Sequence, residues 1–206
     1  MDPRLLDASQ ADAAAATLGQ AFFDDPVLQI AAPDEGVRRQ QGAWFMGTVV
    51  KYGLKWGEVW ANKDASAVAV WVPPGSGEMG PVRALQIGMA MLPLRLGLSP
   101  TVRLAKLMSM TEKFHKSVHG PHWYLVSIGV RDAAQGQGLG STLVEIGTSR
   151  ADTAGLPCYL ETATDSNISY YQKRGFEIVA QEDFDGHTIT GMVRQPVGSG
   201  TVGDVG

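Results

Sequence analysis

The 206-residue sequence is poor in cysteine, has no excess of positive charge and contains no long apolar run. Its single cysteine, Cys158, excludes an internal disulfide framework. Because 17 basic residues face 21 acidic ones, the net charge of −4 leaves no basic footprint for nucleic acid. No apolar stretch reaches the roughly 20 residues that span a bilayer, and Met1–Leu6 does not open a signal peptide. We therefore expect a cytoplasmic protein with no nucleic-acid or membrane partner.

The composition is that of a globular domain. Hydrophobic residues make up 44% of the chain and charged residues 18%, and no repeat or linker interrupts it. We expect one domain over residues 1–196. The Gly- and Val-rich residues 197–206 show no pattern and are expected to be a disordered tail.

One stretch of the sequence combines a strand, a glycine-rich turn and a helix. Trp123–Val130 is apolar and β-rich enough for a buried strand, and Gln135–Gly140 follows it closely. Leu139, Leu143 and Ile146 then fall at i, i+4 and i+7, the spacing of one helix face, and the pattern continues to about residue 154.

The three glycines of this turn fit two uses. The first N–H groups of a helix lack intrahelical partners and carry the positive end of the helix dipole. With Gly136, Gly138 and Gly140 the backbone amides could close around a phosphate group. The spacing matches neither the Walker nor the dinucleotide-binding fingerprint. Taken alone, it fits a tight structural turn equally well.

The remaining pattern alternates strands and helices, which predicts an α/β (α+β) domain with a mixed sheet. The helices are expected over 10–23, with Asp7 or Ser9 as cap, over 37–56, from a cap at Ser99 or Thr101 to 118, and over 167–173. The other strands are expected over 4–6, 58–62, 66–72, 158–162, 176–182 and 187–193, the last two joined by Asp185-Gly186.

The histidines do not predict a metal centre. His115 and His119 are four residues apart, but no carboxylate or thiolate stands at ligand spacing, and Gly120-Pro121 separates them from His122. We expect no metal. A histidine that binds or deprotonates an acceptor molecule is an open alternative.

Two ordered signatures give the sequence a family resemblance. Gln135-x-x-Gly138-x-Gly140 resembles the acyl-CoA-binding motif of the GNAT N-acetyltransferases, and Tyr171 ahead of Gly175-Phe176 resembles their second signature. Further segments are similar to the puromycin N-acetyltransferase branch of that superfamily: 21–26, 57–60 and 67–73.

The resemblance implies the GNAT fold, with a mixed central β-sheet flanked by helices and with splayed fourth and fifth strands. It also implies acetyl-CoA as co-substrate. By position, the backbone of Ile128, Gly129 and Val130 would pair with the pantetheine arm, and Asn167 would be a further cofactor contact. The residues expected around the pyrophosphate are Gln135, Gly136, Gln137, Gly138, Leu139, Gly140 and Ser141, with the Leu139 side chain packed under the helix.

The implied chemistry is direct attack of a neutral amine on the acetyl thioester. Tyr171 takes the position of the general acid that protonates the departing thiolate, and Tyr170 is its competitor. Glu161 is the candidate base, since a carboxylate inside an apolar strand is costly unless it is paired or lines a site. A structural salt bridge of Glu161 and a core role of Tyr171 are the alternatives.

The acceptor side is less constrained by the sequence. Phe22, Asp24 and Asp25 lie where the family places the acceptor pocket, although two core aromatics and solvated acids fit the same pattern; Trp123 and Tyr170 are further candidates. The expected function is acetyl-CoA-dependent N-acetylation of a small-molecule amine, aromatic or puromycin-like, which would suit antibiotic resistance. The alternatives are acetylation of protein N-termini or lysines, and a non-catalytic acyl-CoA-binding regulator. Both a monomer and a homodimer fit the sequence.

Overall fold

A computed structural model describes residues 3–76 and 79–198, and these form one seven-stranded mixed sheet in the order β1-β2-β3-β4-β5-β7-β6. The strands are β1 Arg4–Leu5, β2 Glu58–Ala61, β3 Ala67–Val72, β4 Trp123–Val130, β5 Cys158–Thr162, β6 Glu177–Phe184 and β7 His187–Arg194. The predicted mixed sheet is confirmed, and β4 and β5 begin and end at the predicted residues.

The helices lie on both faces of this sheet. They are α1 Ala11–Ala21, α2 Pro26–Ala31, α3 Glu35–Trp56, α4 Pro81–Gln86, α5 Leu92–Leu96, α6 Leu98–Ser117, α7 Leu139–Ala154 and α8 Asp165–Gln172. Alternate residues of β3 divide the core into two layers, as the period of a strand requires. Val68 and Val70 pack with α1, α3 and α6, whereas Ala67, Ala69 and Trp71 pack with α7.

Strands β4 and β5 separate in the middle of the sheet. Their parallel pairing runs from Trp123 opposite Cys158 to Leu125 opposite Leu160. Beyond that point β4 pairs only with β3 and β5 only with β7 in the described chain. The splayed fourth and fifth strands that the family resemblance implied are therefore present.

A β-bulge accompanies this separation. Val70 pairs with Ser127 and Trp71 pairs with Leu125, so Val126 is an extra residue on β4. A bulge bends its strand and changes the face to which the following side chains point. After it, Gly129 faces α1, and the β4 edge toward β5 is left without a neighbouring strand.

One short helix was not predicted, and one helix starts elsewhere than predicted. A short helix, α2, begins directly at Pro26, because proline is favoured at the first helical position and the Asp25 carboxylate accepts the Val27 N–H. Helix α6 begins at Leu98 after Gly97, so neither Ser99 nor Thr101 is its cap; that prediction was wrong. Gly97 has φ 93°, a left-handed conformation that favours glycine.

The chain ends are only partly covered. Of the predicted tail 197–206, residues 199–206 lie outside the described part of the chain. Among residues 3–76 and 79–198, none of the helices has the length and apolarity that crossing a membrane requires.

Gly147 determines how closely α7 packs on the sheet. A Cβ at this position would overlap the ring of Trp71, whose Nε1–H donates to the Leu143 carbonyl at 3.2 Å. Gly47 offers a matched helical glycine, because its Cβ would meet Ala15 Cβ at an ordinary 3.5 Å.

We expect Gly147→Ala to lower the free energy of unfolding by about 1–3 kcal/mol, since the fully buried indole cannot move aside. Gly47→Ala should be neutral or stabilising by up to about 1 kcal/mol. Urea unfolding of both variants measures this. Equal stability of the two variants would contradict the packing argument.

Candidate active site

A cavity of about 1140 Å³ opens where β4 and β5 separate. Its walls come from α3, α6, β4, β5 and the chain around α2, and most of them are apolar or aromatic. Polar side chains also line it, among them Asp25, Ser127 and Glu161. A largely apolar cavity with a few convergent polar groups is the usual form of a small-molecule site. We call it the central cavity.

Glu161 reaches the central cavity from the end of β5, where that strand no longer pairs with β4. The Tyr124 hydroxyl donates to its Oε2 at 2.7 Å, and the Tyr159 hydroxyl donates to its Oε1 at 3.0 Å. Burial raises the pKa of Glu161 to about 7, while the two hydroxyl donors act in the opposite direction. The carboxyl group can therefore take up or release a proton near neutral pH.

Two histidines line the same part of the cavity. Nε2 of His115 on α6 lies 2.6 Å from Nε2 of His122, whose Nδ1 lies 2.9 Å from the Gly120 carbonyl. Because a carbonyl only accepts, His122 Nδ1 carries a hydrogen, and the two Nε2 atoms share a second hydrogen bond. Burial, followed by the charge of His122, lowers the pKa of His115 to about 4. His115 is therefore neutral at physiological pH.

In the described residues, no three or more His, Cys, Asp or Glu side chains are grouped as metal ligands would be. The histidines instead pack on tyrosines. The His115 ring centroid lies 4.7 Å from that of Tyr124 and 5.0 Å from that of Tyr159.

Tyr171 borders the central cavity from the last turn of α8. Its ring is buried against Phe176, with centroids 5.6 Å apart. Burial raises the pKa of Tyr171, so its hydroxyl keeps its proton at neutral pH. Asn167, one turn and a little more ahead on the same helix, also lines the cavity.

Tyr170 points elsewhere. Its ring is nearly perpendicular to that of Tyr171, at 82°, and it does not line the central cavity. Its hydroxyl would lie 3.7 Å from a Cβ at Gly140, and among the described residues this buried oxygen has no hydrogen-bond partner. Of the two adjacent tyrosines, Tyr171 therefore borders the cavity, whereas Tyr170 lies beside the glycine turn.

Only some of the predicted acceptor residues line the central cavity. Phe22 and Asp25 line the central cavity, and burial raises the pKa of Asp25 while its carboxylate caps α2. Asp24 is exposed and outside the cavity lining. Trp123 packs in the core on the α7 side of the sheet, with the Arg150 guanidinium 5.2 Å from its ring.

The glycine turn leaves open space at the start of α7. Gly136 and Gly138 have φ values of 75° and 78°, and a Cβ at either would meet nothing within 4 Å. Gly138 precedes the first residue of α7 and no side chain caps the helix. The first amides of α7, from Leu139 to Ser141, therefore lack intrahelical partners and can bind an anion. Leu139 is buried, Gln137 is exposed, and Gln135 donates to the Val130 carbonyl at 3.3 Å.

Gly129 has a packing role. A Cβ there would come within 2.8 Å of Ala21 Cβ and 3.0 Å of Leu18 Cδ2, so the missing side chain lets α1 pack against β4. Ile128, its neighbour, lines the central cavity. The backbone of Ile128, Gly129 and Val130 follows the β4 edge that β5 has left.

Arg174 is a candidate site residue that the sequence patterns did not indicate. Its Nη2 donates to Ser141 Oγ at 2.6 Å and its Nη1 to the Tyr170 carbonyl at 2.9 Å. The guanidinium carbon lies 3.5 Å from the centroid of the Tyr170 ring. A permanent positive charge thus stands beside the first turn of α7. In the sequence, Arg174 stands out only as a basic residue next to Gly175, and an ordinary surface arginine would look the same.

This sheet, with its splayed strands and its glycine turn before α7, is the GNAT fold. The structure of the chain is similar to that of a histone acetyltransferase HPA2 and related acetyltransferase from Corynebacterium glutamicum. The two share 20% sequence identity with a TM-score of 0.68, and the match covers 97% of this chain and 98% of that chain. The structure is also similar to that of arylalkylamine N-acetyltransferase 2 from Aedes aegypti (14% identity, TM-score 0.64, 94% and 98%).

Sequence comparison finds similarity to the same group of enzymes. Residues 98–176 match the model of the acetyltransferase (GNAT) family. An uncharacterised N-acetyltransferase of Schizosaccharomyces pombe is 28% identical over 208 residues, which cover 95% of this chain and 84% of that protein. Residues 98–176 therefore match an acetyltransferase (GNAT) domain, and nearly the whole chain is similar to an N-acetyltransferase.

The raised pKa of Glu161 has a consequence for stability. Its usual value is 4.5, so as pH rises from about 4.5 to about 7 the unfolded chain ionises this group before the folded chain does. The wild-type protein therefore loses free energy of unfolding over this window, by up to about 3 kcal/mol. We expect Glu161→Gln to remove that loss.

Urea unfolding of both proteins at several pH values tests this. His115 titrates in both, so the difference between the two curves isolates Glu161. A difference that stays constant from pH 4.5 to 7 would show that the pKa of Glu161 is not raised.

Proposed function

We propose that this protein transfers the acetyl group of acetyl-CoA to the amine of a small, largely apolar molecule. The observation that carries the proposal is the meeting of Glu161 and Tyr171 at one apolar cavity, at the gap where the cofactor of this family would enter. A base and an acid on one cavity are what amine acetylation requires.

The residues around the glycine turn fit acetyl-CoA. The open, left-handed Gly136 and Gly138 and the uncapped first turn of α7 suit a pyrophosphate. The Tyr170 hydroxyl, which has no hydrogen-bond partner in the described part of the chain, and the Arg174 guanidinium add a donor and a charge at the same place. When bound, the cofactor supplies the acetyl thioester.

The other cofactor contacts follow from the gap between the strands. The exposed β4 edge from Ile128 to Val130 offers peptide groups to the pantetheine amides, as a neighbouring strand would. Asn167 on α8 lines the cavity on the opposite side of the gap. A backbone N–H of this β4 edge would donate to the acetyl carbonyl oxygen, where negative charge develops during transfer.

Two side chains move the protons. Glu161 accepts a proton from the acceptor ammonium, because only the free amine is nucleophilic. A carboxyl group whose pKa is raised to about 7 suits that step near neutral pH. Tyr171 donates its hydroxyl proton to the departing thiolate, and burial keeps that hydroxyl protonated until then.

The cavity wall favours an apolar or aromatic amine. Four methionines line it, a residue type that adapts to irregular ligands: Met46, Met79, Met89 and Met108. The Aedes aegypti protein that shares this fold is named for arylalkylamines. The similarity of several segments to the puromycin branch makes puromycin a candidate acceptor, and resistance to it a candidate role.

Acetyl-CoA-dependent thiol release against puromycin, arylalkylamines, polyamines and short peptides tests the proposal. We expect the fastest turnover with an apolar or aromatic small amine. Faster turnover of peptides than of small amines would show that the acceptor is a peptide or protein amine. Tight acetyl-CoA binding without turnover of any amine would point to a binding protein.

Replacing the proposed acid should slow the chemical step. We expect Tyr171→Phe to lower kcat about 100-fold, with little change in the acceptor KM, because the phenol acts only as the thiolate departs. Tyr170→Phe is the matched control and should change the KM for acetyl-CoA more than kcat. Pre-steady-state measurements separate the two effects. An unchanged chemical step in Tyr171→Phe would remove this residue as the acid.

Arg174 should contribute to cofactor affinity. We expect Arg174→Gln to weaken coenzyme A binding about tenfold, the effect of losing one charge-assisted contact of about 1.4 kcal/mol. The matched control is Lys173→Gln, since Lys173 is exposed one residue away. Calorimetric titration with coenzyme A gives both constants. Equal losses in the two variants would show a general charge effect instead of a local contact.

A further inference from the structure

Glu161 is held by two tyrosines from adjacent strands. Tyr124 on β4 and Tyr159 on β5 are direct partners in the parallel register, one pair before the last, Leu125 with Leu160. Their rings lie side by side, with centroids 5.6 Å apart at 36°. Each hydroxyl donates to a different oxygen of the Glu161 carboxylate, at 2.7 Å and 3.0 Å. Both carboxylate oxygens are therefore fixed.

The third strand of this region leaves space for the arrangement. Gly191 on β7 is the register partner of Glu161, and a Cβ at Gly191 would lie 3.2 Å from the Tyr159 hydroxyl. A side chain at Gly191 would require that hydroxyl to shift by a few tenths of an ångström. The Tyr159 side chain is otherwise fully buried, so the rest of the core prevents it from turning aside.

The histidine pair holds the tyrosine rings from the other side. His115 packs on Tyr124 and on Tyr159, and its hydrogen bond to His122 fixes the orientation of the His115 ring. Neither tyrosine ring can therefore rotate freely. The hydroxyls keep their protons, because burial raises the pKa of Tyr124 and of Tyr159. They stay donors over the whole working range of pH.

We propose that Tyr124 and Tyr159 are positioning residues that keep Glu161 ionised and aimed into the central cavity. Burial alone favours the neutral carboxyl group, and hydrogen bonds donated to the carboxylate oppose that effect. A base that stayed protonated could not accept the amine proton. The catalytic consequence rests on the proposed function, whereas the ionisation of Glu161 does not.

Several other titratable groups surround this cluster and belong in the interpretation of any pH profile. They are Tyr52 on α3, Glu112, His115 and Lys116 on α6, His119 and His122 before β4, and Tyr171 on α8. Only the two tyrosine hydroxyls donate to Glu161 among the side chains that the structure describes.

The test follows the Glu161 carboxyl carbon by NMR in protein labelled with ¹³C at glutamate side chains, with Glu161→Gln to assign its signal. We expect Tyr159→Phe and Tyr124→Phe each to raise the titration midpoint by about one pH unit, since each removes one hydrogen bond to a charged group. Tyr52→Phe is the matched control, because this buried tyrosine borders the same cavity without donating to Glu161 in the described chain. The titration midpoint of Glu161 in Tyr52→Phe should equal that in the wild type.

Kinetics give a second readout. The acid limb of kcat/KM should move to higher pH by the same amount as the NMR midpoint, with kcat at high pH largely retained. Lower thermal stability with an unmoved midpoint in both tyrosine variants would overturn the proposal and leave them a packing role only. If one variant does not fold, the other decides alone.

The two proposals fail separately. If no amine is acetylated but the midpoints shift, the proposed function fails and the ionisation of Glu161 by the tyrosines stands. If an amine is acetylated while both midpoints stay at the wild-type value, the proposed function stands and the positioning role is wrong.

Discussion

The loss of pairing between β4 and β5 is the constraint on which the rest of the structure depends. Two parallel strands that stay together offer no ligand site between them, since their peptide groups satisfy each other. Here the pairing stops after Leu125 and Leu160, and the bulge at Val126 turns β4 away. The separation leaves backbone groups of β4 available and brings Glu161 to the end of a strand that no longer has a neighbour on that side. The cofactor, the acceptor and the proton transfer of the proposed function all need this gap.

Much of the fold could be predicted because it is encoded locally. Strand β4, helix α7 and the left-handed Gly155 that ends it follow from hydrophobic period and cap residues within a few positions. The start of α6 could not be predicted in this way. Ser99 and Thr101 are residue types that often cap helices, but the helix begins earlier, directly after Gly97. Glycine roles were equally hidden. Gly129 serves contact with α1, whereas Gly136 and Gly138 leave open space, and only long-range contacts distinguish them.

In the candidate site, prediction from local sequence failed by a single residue position. Trp123 was an acceptor candidate, yet it points into the core on the α7 side while its neighbour Tyr124 reaches the cavity. Successive side chains of a strand point to opposite faces, so an error of one position changes the face. Glu161 and Tyr171 could be placed from local motifs. The hydrogen bonds of Tyr124 and Tyr159 to Glu161 depend on the β4–β5 register, which no local pattern contains.

Burial acts on both proposed catalytic groups in the same direction, toward the protonated form. For Tyr171 that is the form an acid needs, and the charge of Arg174 opposes it only in part. For Glu161 it is the wrong form for a base, and the structure supplies two hydroxyl donors against it. Environments that separate the protonation states of two groups are what assigns acid and base roles in a shared site. One apolar cavity can therefore hold a protonated phenol and an ionisable carboxylate together, because the difference between them lies in the hydrogen bonds and not in the depth of burial.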